Sequence, residues 1–429
     1  MSTPQNSSSQ LGARDSASQA PRRRRKPVDL AALPRSAALS HLRVATEAVA
    51  KPNLPPVSSF SPAALWAWVR NYLAYVFRQK HPFPSYSACP RNAMYDLLDD
   101  EGTENVRVAL AGDWGTGTDE AECVAQQMGK FDPHYTVHIG DVYYVGDPPE
   151  VNENCLGIRN INNNYDPVIW PIGSLGSFAM NGNHEMYANG GGYFDVLLPE
   201  LGLRVAGELQ GQQTSFFCLQ NSRWRIIAID TGYNSNGLPI LGQIPIINKI
   251  PGIGGNCRLP DALMQWLATI VVPRPPQVDR RGVIIMSHQQ YYSGFEDEFR
   301  EPAKQLWDAG IKGPVLWFWG HEHRLAGYDL YGTDQLKAFG RCVGHGGMPL
   351  SLAAPIKNPN PKFYDARRGT QGFGVNGHVN LNFRGPTLDA TYVDLKGTKL
   401  VQERWSVDGS GVIHLDSYQK MISDPDFHG

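Results

Sequence analysis

The chain has 429 residues, 41% of them hydrophobic and 10% aromatic, enough apolar material to bury a large core, and its length alone would suit two or three domains. With 39 Lys and Arg against 41 Asp and Glu, the formal net charge is -2, which argues against the broad basic field of a nucleic-acid binder. Six cysteines, Cys89, Cys123, Cys155, Cys218, Cys257 and Cys342, lie far apart with no Cys-x-x-Cys pair; this favours reduced thiols, although an even count still permits disulfides in a secreted protein.

In chain order, residues 1–35 read as a disordered tail, rich in Ser, Gln, Ala and Arg, with the run Arg22-Arg23-Arg24-Arg25-Lys26 and little to bury. That run is followed at once by Pro27-Val28-Asp29 instead of the apolar core of a signal peptide, so a cytoplasmic location is expected, with secretion by another route left open. The basic run itself reads as a solvated flexible segment, transient binding to anionic surfaces being the minor alternative.

Residues 36–103 are expected to form a helical N-terminal extension. An alanine-rich helix spans 37–50 and stops before Pro52, and Ser61-Pro62 opens a second that runs to about Lys80. On the second, Leu65, Trp66, Val69, Tyr72, Leu73, Val76 and Phe77 form one apolar stripe, which predicts packing against the following domain. Arg70, Arg78 and Lys80 keep docking to a membrane surface or a subunit as the alternative. The stripe is too short, and too polar at Arg70 and Asn71, to span a bilayer.

Residues 104–420 carry the chemistry, and 421–429 read as a short tail. Strand-like runs at 106–111, 135–139, 178–180, 283–286 and 315–319 each lead into a polar cluster. The clusters are Gly112-Asp113-Trp114-Gly115, Gly140-Asp141-Val142-Tyr143-Tyr144, Gly182-Asn183-His184-Glu185, Ser287-His288 and Gly320-His321-Glu322-His323. Singly each has an ordinary explanation: a Gly-Asp after a strand is usually a turn, and a lone histidine is usually a satisfied one. Together they put carboxylate, amide and imidazole donors at five strand ends, and ligands of α/β sheets bind outside those ends. Such a donor set suits two metal ions.

Two long stretches, 147–166 and 234–256, leave strand ends on the same side; they are candidate walls of a substrate cleft, or else plain surface excursions. Ile229-Asp230-Thr231 ends a further strand that starts at Trp224, and Gly344-His345-Gly346-Gly347 reads as a turn. Beyond His323, the segments around 336–343, 378–383, 390–395 and 400–405 alternate apolar and polar residues and are expected to be antiparallel strands of a second sheet.

Over roughly residues 106–347 this ordered set resembles the calcineurin-like metallophosphoesterases and, within them, the purple acid phosphatases. Most relatives place a histidine two residues after the first aspartate, where Gly115 stands here. The second cluster, however, extends to Tyr144, which matches the tyrosinate that supplies the replacement ligand in purple acid phosphatases. The resemblance implies a first metal held by Asp113, Asp141, Tyr144 and His323, and a second held by Asp141, Asn183, His288 and His321. Asp141 is then the bridge, and His184 stays uncoordinated. A phenolate is a hard anionic donor that favours a trivalent ion, so Fe(III) is expected at the Tyr144 site and Fe(II), Zn or Mn at the other. Ile229-Asp230-Thr231 resembles the family's Leu-Asp-Thr element. His345 and Gln289 depart from the family pattern, while Tyr291 and Tyr292 offer other substrate contacts.

The implied fold is a four-layer α/β/β/α sandwich of the metallophosphoesterase type with the helical extension in front. The implied reaction is hydrolysis of a small phosphate monoester, acid phosphatase fashion. Water activated by the metal pair attacks phosphorus in line, and His184 protonates the departing alkoxide. One alternative is a phosphodiesterase or nucleotide hydrolase on the same site; another, of a different class, is a non-catalytic binding module of this fold. Neither a nucleic acid as structural partner nor a transmembrane segment is expected, and the oligomeric state stays open. His41, His81, His134, His138, His378, His414 and His428 match no motif.

Overall fold

The computed structural model describes residues 72–75, 77–159, 167–237, 254–273, 277–369 and 372–429. The expected tail, the 37–50 helix, most of the 61–80 helix, residues 160–166 of the first long stretch and 238–253 of the second lie outside the described residues. Residues 72–75 are helical. Tyr72 belongs to a buried cluster with Tyr143, Tyr144, Val145, Ala188 and Met348, whereas Leu73 and Phe77 are exposed; the other members of the expected apolar stripe lie outside the described residues.

Two nine-stranded sheets face each other. From edge to edge the first carries Met94–Asp96, Phe217–Gln220, Trp224–Ala228, Gly282–Ser287, Val315–Trp319, Ala338–Val343, Leu325–Tyr331, Phe363–Asp365 and Phe427–His428. The second carries Ile413–Lys420, Lys399–Val407, Thr387–Asp394, Gly377–Arg384, Asn105–Ala111, Tyr135–His138, Gly176–Ala179, Gly202–Val205 and Glu208–Gly211. Four strands of the first sheet, from Trp224–Ala228 to Ala338–Val343, run parallel. So do Asn105–Ala111, Tyr135–His138 and Gly176–Ala179 in the second.

Strands buried on both faces read as continuous apolar runs, and alternation decides which layer each side chain enters. Leu316 and Phe318 point into the core between the sheets. Trp317 and Trp319 join the outer layer with Leu263 and Trp266 of the Asp261–Trp266 helix and Leu306 of the Glu301–Ala309 helix. On the other sheet Val106, Val108 and Leu110 face inward, while Ala109 and Ala111 are small enough to seat Ala121, Val124 and Met128 of the Asp119–Lys130 helix. Thr118 caps that helix by accepting from the Ala121 amide at 3.2 Å. Asp119, Glu120 and Glu122 in its first turn and Lys130 in its last complement the helix dipole. The result is helices, sheet, sheet, helices.

One strand differs from expectation. Residues 338–343 belong to the first sheet, parallel to Val315–Trp319, and not with the three later segments, which are antiparallel strands of the second. The apparent polar alternation there came from Arg341, which is fully buried and paired. All six cysteines are free and buried. Among the described residues no helix is long and apolar enough to cross a membrane.

Candidate metal centre

Five strand ends meet where the two sheets come together: Asp113 follows Asn105–Ala111, Asp141 follows Tyr135–His138, and Asn183 and His184 follow Gly176–Ala179, while His288 and the His321, His323 pair come from the first sheet. Asp113, Asp141 and His288 have no solvent exposure, and Asn183, His184 and His323 are buried. The local backbone is unusual. Asp113, Asp141 and His321 have φ of 58°, 72° and 64°, the left-handed region that costs non-glycine residues energy and concentrates at functional sites. Gly182 provides the needed clearance, since a Cβ there would lie 2.2 Å from Asp141 Oδ1.

Two overlapping groups result. In one, Asp113 Oδ1 accepts from the Tyr143 hydroxyl at 2.6 Å and lies 3.1 Å from His323 Nε2, and Asp113 Oδ2 accepts from the His321 amide at 2.7 Å. In the other, His288 Nε2 lies 3.2 Å from both Asp141 Oδ1 and Asn183 Oδ1, and one ligand atom each of Asp141, His288 and His321 lies within 4.8 Å of the others. Asp141 belongs to both. Its Oδ1 faces His288 while its Oδ2 accepts from the Tyr143 hydroxyl at 3.0 Å.

The ion partners of these two carboxylates are imidazoles: His323 for Asp113, His184 and His288 for Asp141. Burial pushes the Asp113 carboxyl up, but the hydrogen bond and charge of His323, with the charge of His288, hold it below its ordinary value. Burial likewise lowers His288, yet the charge and hydrogen bond of Asp141, then Asp113 and Glu185, raise it to about 9. The site therefore draws positive charge strongly. His288 Nδ1 is tied to the Ile139 carbonyl at 2.8 Å, the arrangement that fixes the tautomer of a ligating histidine and leaves Nε2 for the cation. Hard carboxylate oxygens, an amide oxygen and imidazole nitrogens in two groups that share one carboxylate fit a pair of cations.

Of the residues singled out from the sequence, Asp113, Asp141, Asn183, His184, His288, His321 and His323 come together here. Tyr144 is buried against His184. Its neighbour Tyr143 brings its hydroxyl to Asp113, Asp141 and His323, the last at 3.0 Å. The Tyr144 backbone carbonyl accepts from His184 Nδ1, and both tyrosines lie in one buried cluster with Tyr72 and Met348.

Other residues escaped the sequence reading. Glu185 accepts from the amides of Gly182 and Val142 at 2.9 Å and of Asp141 at 3.3 Å, which ties two donor-bearing turns together. Its place three residues after Gly182, the spacing of a capping box, was the available signal. Gln289 reaches Asn183 Oδ1 with Nε2 at 3.4 Å and accepts from the Thr231 hydroxyl, so Ile229-Asp230-Thr231 acts as support. Asp230 itself accepts from the Tyr233 amide and from Asn181. Glu322 turns away to Ser293 and Arg324. His345 is fully buried beside Gly377. Asn236, in the described part of the second long stretch, donates to the Asn183 carbonyl at 2.9 Å.

A two-sheet sandwich with such donors pooled at its strand ends has the layout of a metal-dependent hydrolase. The chain belongs to the calcineurin-like phosphoesterase family, whose family model matches residues 106–325. No curated protein matches it by sequence. Among solved structures it is similar to GAP50 of Plasmodium, described as the anchor in the inner membrane complex, at 14% identity over 75% of this chain and 90% of that one, with a TM-score of 0.41. It is also similar to the purple acid phosphatase PPD1 of yellow lupin (Lupinus luteus) seeds, at 17% identity over 71% of this chain but 54% of the lupin chain, with a TM-score of 0.45. PhoD is similar at 11% identity over 75% and 73% of the two chains, with a TM-score of 0.43.

Proposed function

We propose that this chain is a metal-dependent phosphate monoester hydrolase of the purple acid phosphatase kind. The observation that carries the reading is the division of Asp141, whose two oxygens face two different donor groups. Asp113, Asp141, His323 and one of the adjacent tyrosines would hold one ion, and Asp141, Asn183, His288 and His321 the other. Such a pair, when bound, lowers the pKa of water and offsets the charge that builds on the phosphoryl oxygens.

The chain's own residues do the rest. His184 is held by the bond from Nδ1 to the Tyr144 carbonyl and by the rings of Tyr143 and Tyr187, with centroids 4.3 and 4.9 Å away. Its Nε2, 3.8 Å from Asp141 Oδ2, is then the atom that hydrogen-bonds the phosphoryl group and hands a proton to the departing alkoxide. Burial of Asp113, Asp141 and His288 keeps competing water out and strengthens each of these interactions. The tether from His288 Nδ1 to the Ile139 carbonyl holds its other nitrogen toward Asp141 before substrate arrives.

The test is hydrolysis of an aryl phosphate by protein stripped with chelator and reloaded with iron, zinc or manganese. Release that requires the metal is expected. Absence of release with every metal pair across a broad pH range would favour a non-catalytic binding module, and faster cleavage of cyclic nucleotides than of nucleoside monophosphates would favour a diesterase.

A further inference from the structure

We propose that Tyr72 and Asn189 fasten the N-terminal extension onto the turn that carries His184, so that a segment ahead of the family match positions the proton donor. The proposal rests on the hydrolase reading above. It adds to that reading a part of the chain outside the family model, which begins at residue 106.

Tyr187 is the link. It lies on the same short helix as Asn183 and His184. Its hydroxyl accepts from Asn183 Nδ2 at 3.3 Å, and its ring meets the His184 ring edge-on, with centroids 4.9 Å apart and planes at 70°. Tyr72 of the extension in turn meets Tyr187 edge-on, at 6.0 Å and 83°, and is 7% exposed. Aromatic pairs of this kind favour a definite geometry beyond the area they bury. A path of three rings thus runs from the extension to His184.

The same turn grips the backbone of the extension. After Tyr187 the chain passes through Ala188 into Asn189, whose φ is 58°. Glycine is the usual residue at this left-handed position after a helix, and asparagine the occasional one. Asparagine supplies what glycine lacks. Its Nδ2 donates to the Tyr75 carbonyl at 2.6 Å and to the Arg78 carbonyl at 3.0 Å, while the Asn189 carbonyl accepts from the His81 amide at 2.9 Å. Further along, the His81 ring stacks on Phe194 at 4.4 Å and Lys80 Nζ donates to the Tyr233 carbonyl at 2.6 Å. The extension is therefore anchored beyond the grip as well as at it.

The experiment compares an alkyl phosphate, whose departing alkoxide must take up a proton, with p-nitrophenyl phosphate, whose leaving group needs none, on the full chain loaded with iron and zinc. Asn189→Gly keeps the left-handed turn and loses the side-chain grip, and Tyr72→Ala breaks the ring path. Each should lower kcat on the alkyl phosphate by about tenfold or more, because a general acid acts only when well placed. Turnover of p-nitrophenyl phosphate and bound metal should stay near wild type, with circular dichroism showing that the fold is kept. Leu73→Ala, at an exposed neighbour of Tyr72, should change neither substrate. If Tyr72→Ala fails to fold, Asn189→Gly alone decides. Equal losses on the two substrates, unchanged turnover of both, or metal lost in proportion to activity overturns the proposal, since the extension would then serve the fold or the metal donors and not His184. If the wild type hydrolyses neither phosphate with any metal pair, the functional reading fails first and the positioning role falls with it.

Discussion

Two buried charged clusters of this sandwich are built on opposite plans. Arg341 of the first sheet meets Glu403 of the second through two parallel bonds, Nε to Oε2 at 2.9 Å and Nη2 to Oε1 at 2.7 Å. Arg341 Nη1 donates to the Tyr328 and Gly340 carbonyls, and Tyr392 donates to Glu403 at 2.9 Å. The charge is balanced inside the protein. At the strand ends, by contrast, Asp113 and Asp141 sit without solvent exposure among imidazoles whose charge depends on bound protons. A buried charge matched by a fixed cation serves structure, whereas one matched only by exchangeable protons is open to a metal.

This contrast predicts that damage at the two clusters reads out differently. The largest effect is expected from Asp141→Asn, which keeps volume but removes the shared charge. If each ion contributes several kcal/mol to the transition state, kcat/KM should fall by at least about 10³, with bound metal lost and unfolding in chelator little changed. A comparable loss of stability in chelator would show that Asp141 is structural after all.

His184→Ala should lower kcat by about 10² to 10⁴, the usual worth of general acid catalysis, with metal content nearly intact. Metal lost in proportion to activity would move His184 into the ligand set. Glu403→Gln should leave metal content untouched and destabilise the fold by about 3–5 kcal/mol, because it strands Arg341 in the core. The double replacement Arg341→Met with Glu403→Leu should cost less than either single one, as denaturant unfolding can measure. The smallest effect is expected next door. Arg404 is bonded to Asp389 at 2.7 and 3.1 Å but is half exposed, so solvent screening should make Asp389→Asn too weak to register in the same measurement.

Much of this was legible in the sequence, for definable reasons. Runs such as Val315–Trp319 announce buried strands, and each donor cluster follows such a run directly, so the strand ends and most of the candidate site could be read before the fold was seen. Arg341 misled because a lone charge in an apolar strand looks like an outward position, and its partner lies 62 residues away. Tyr143 and Tyr144 could not be told apart by residue type. Glu185 acts through backbone amides, and only its capping-box spacing from Gly182 hinted at the job; Gln289 acts through neighbours' side chains, and nothing in its own sequence position advertises that.

The six sheltered cysteines have a practical outcome. Thiol-specific reagents should find no target while the native packing holds, so the rate of labelling reports how often the sandwich opens. That clock runs independently of bound ions or turnover, and could time the breathing of every variant named above in one assay.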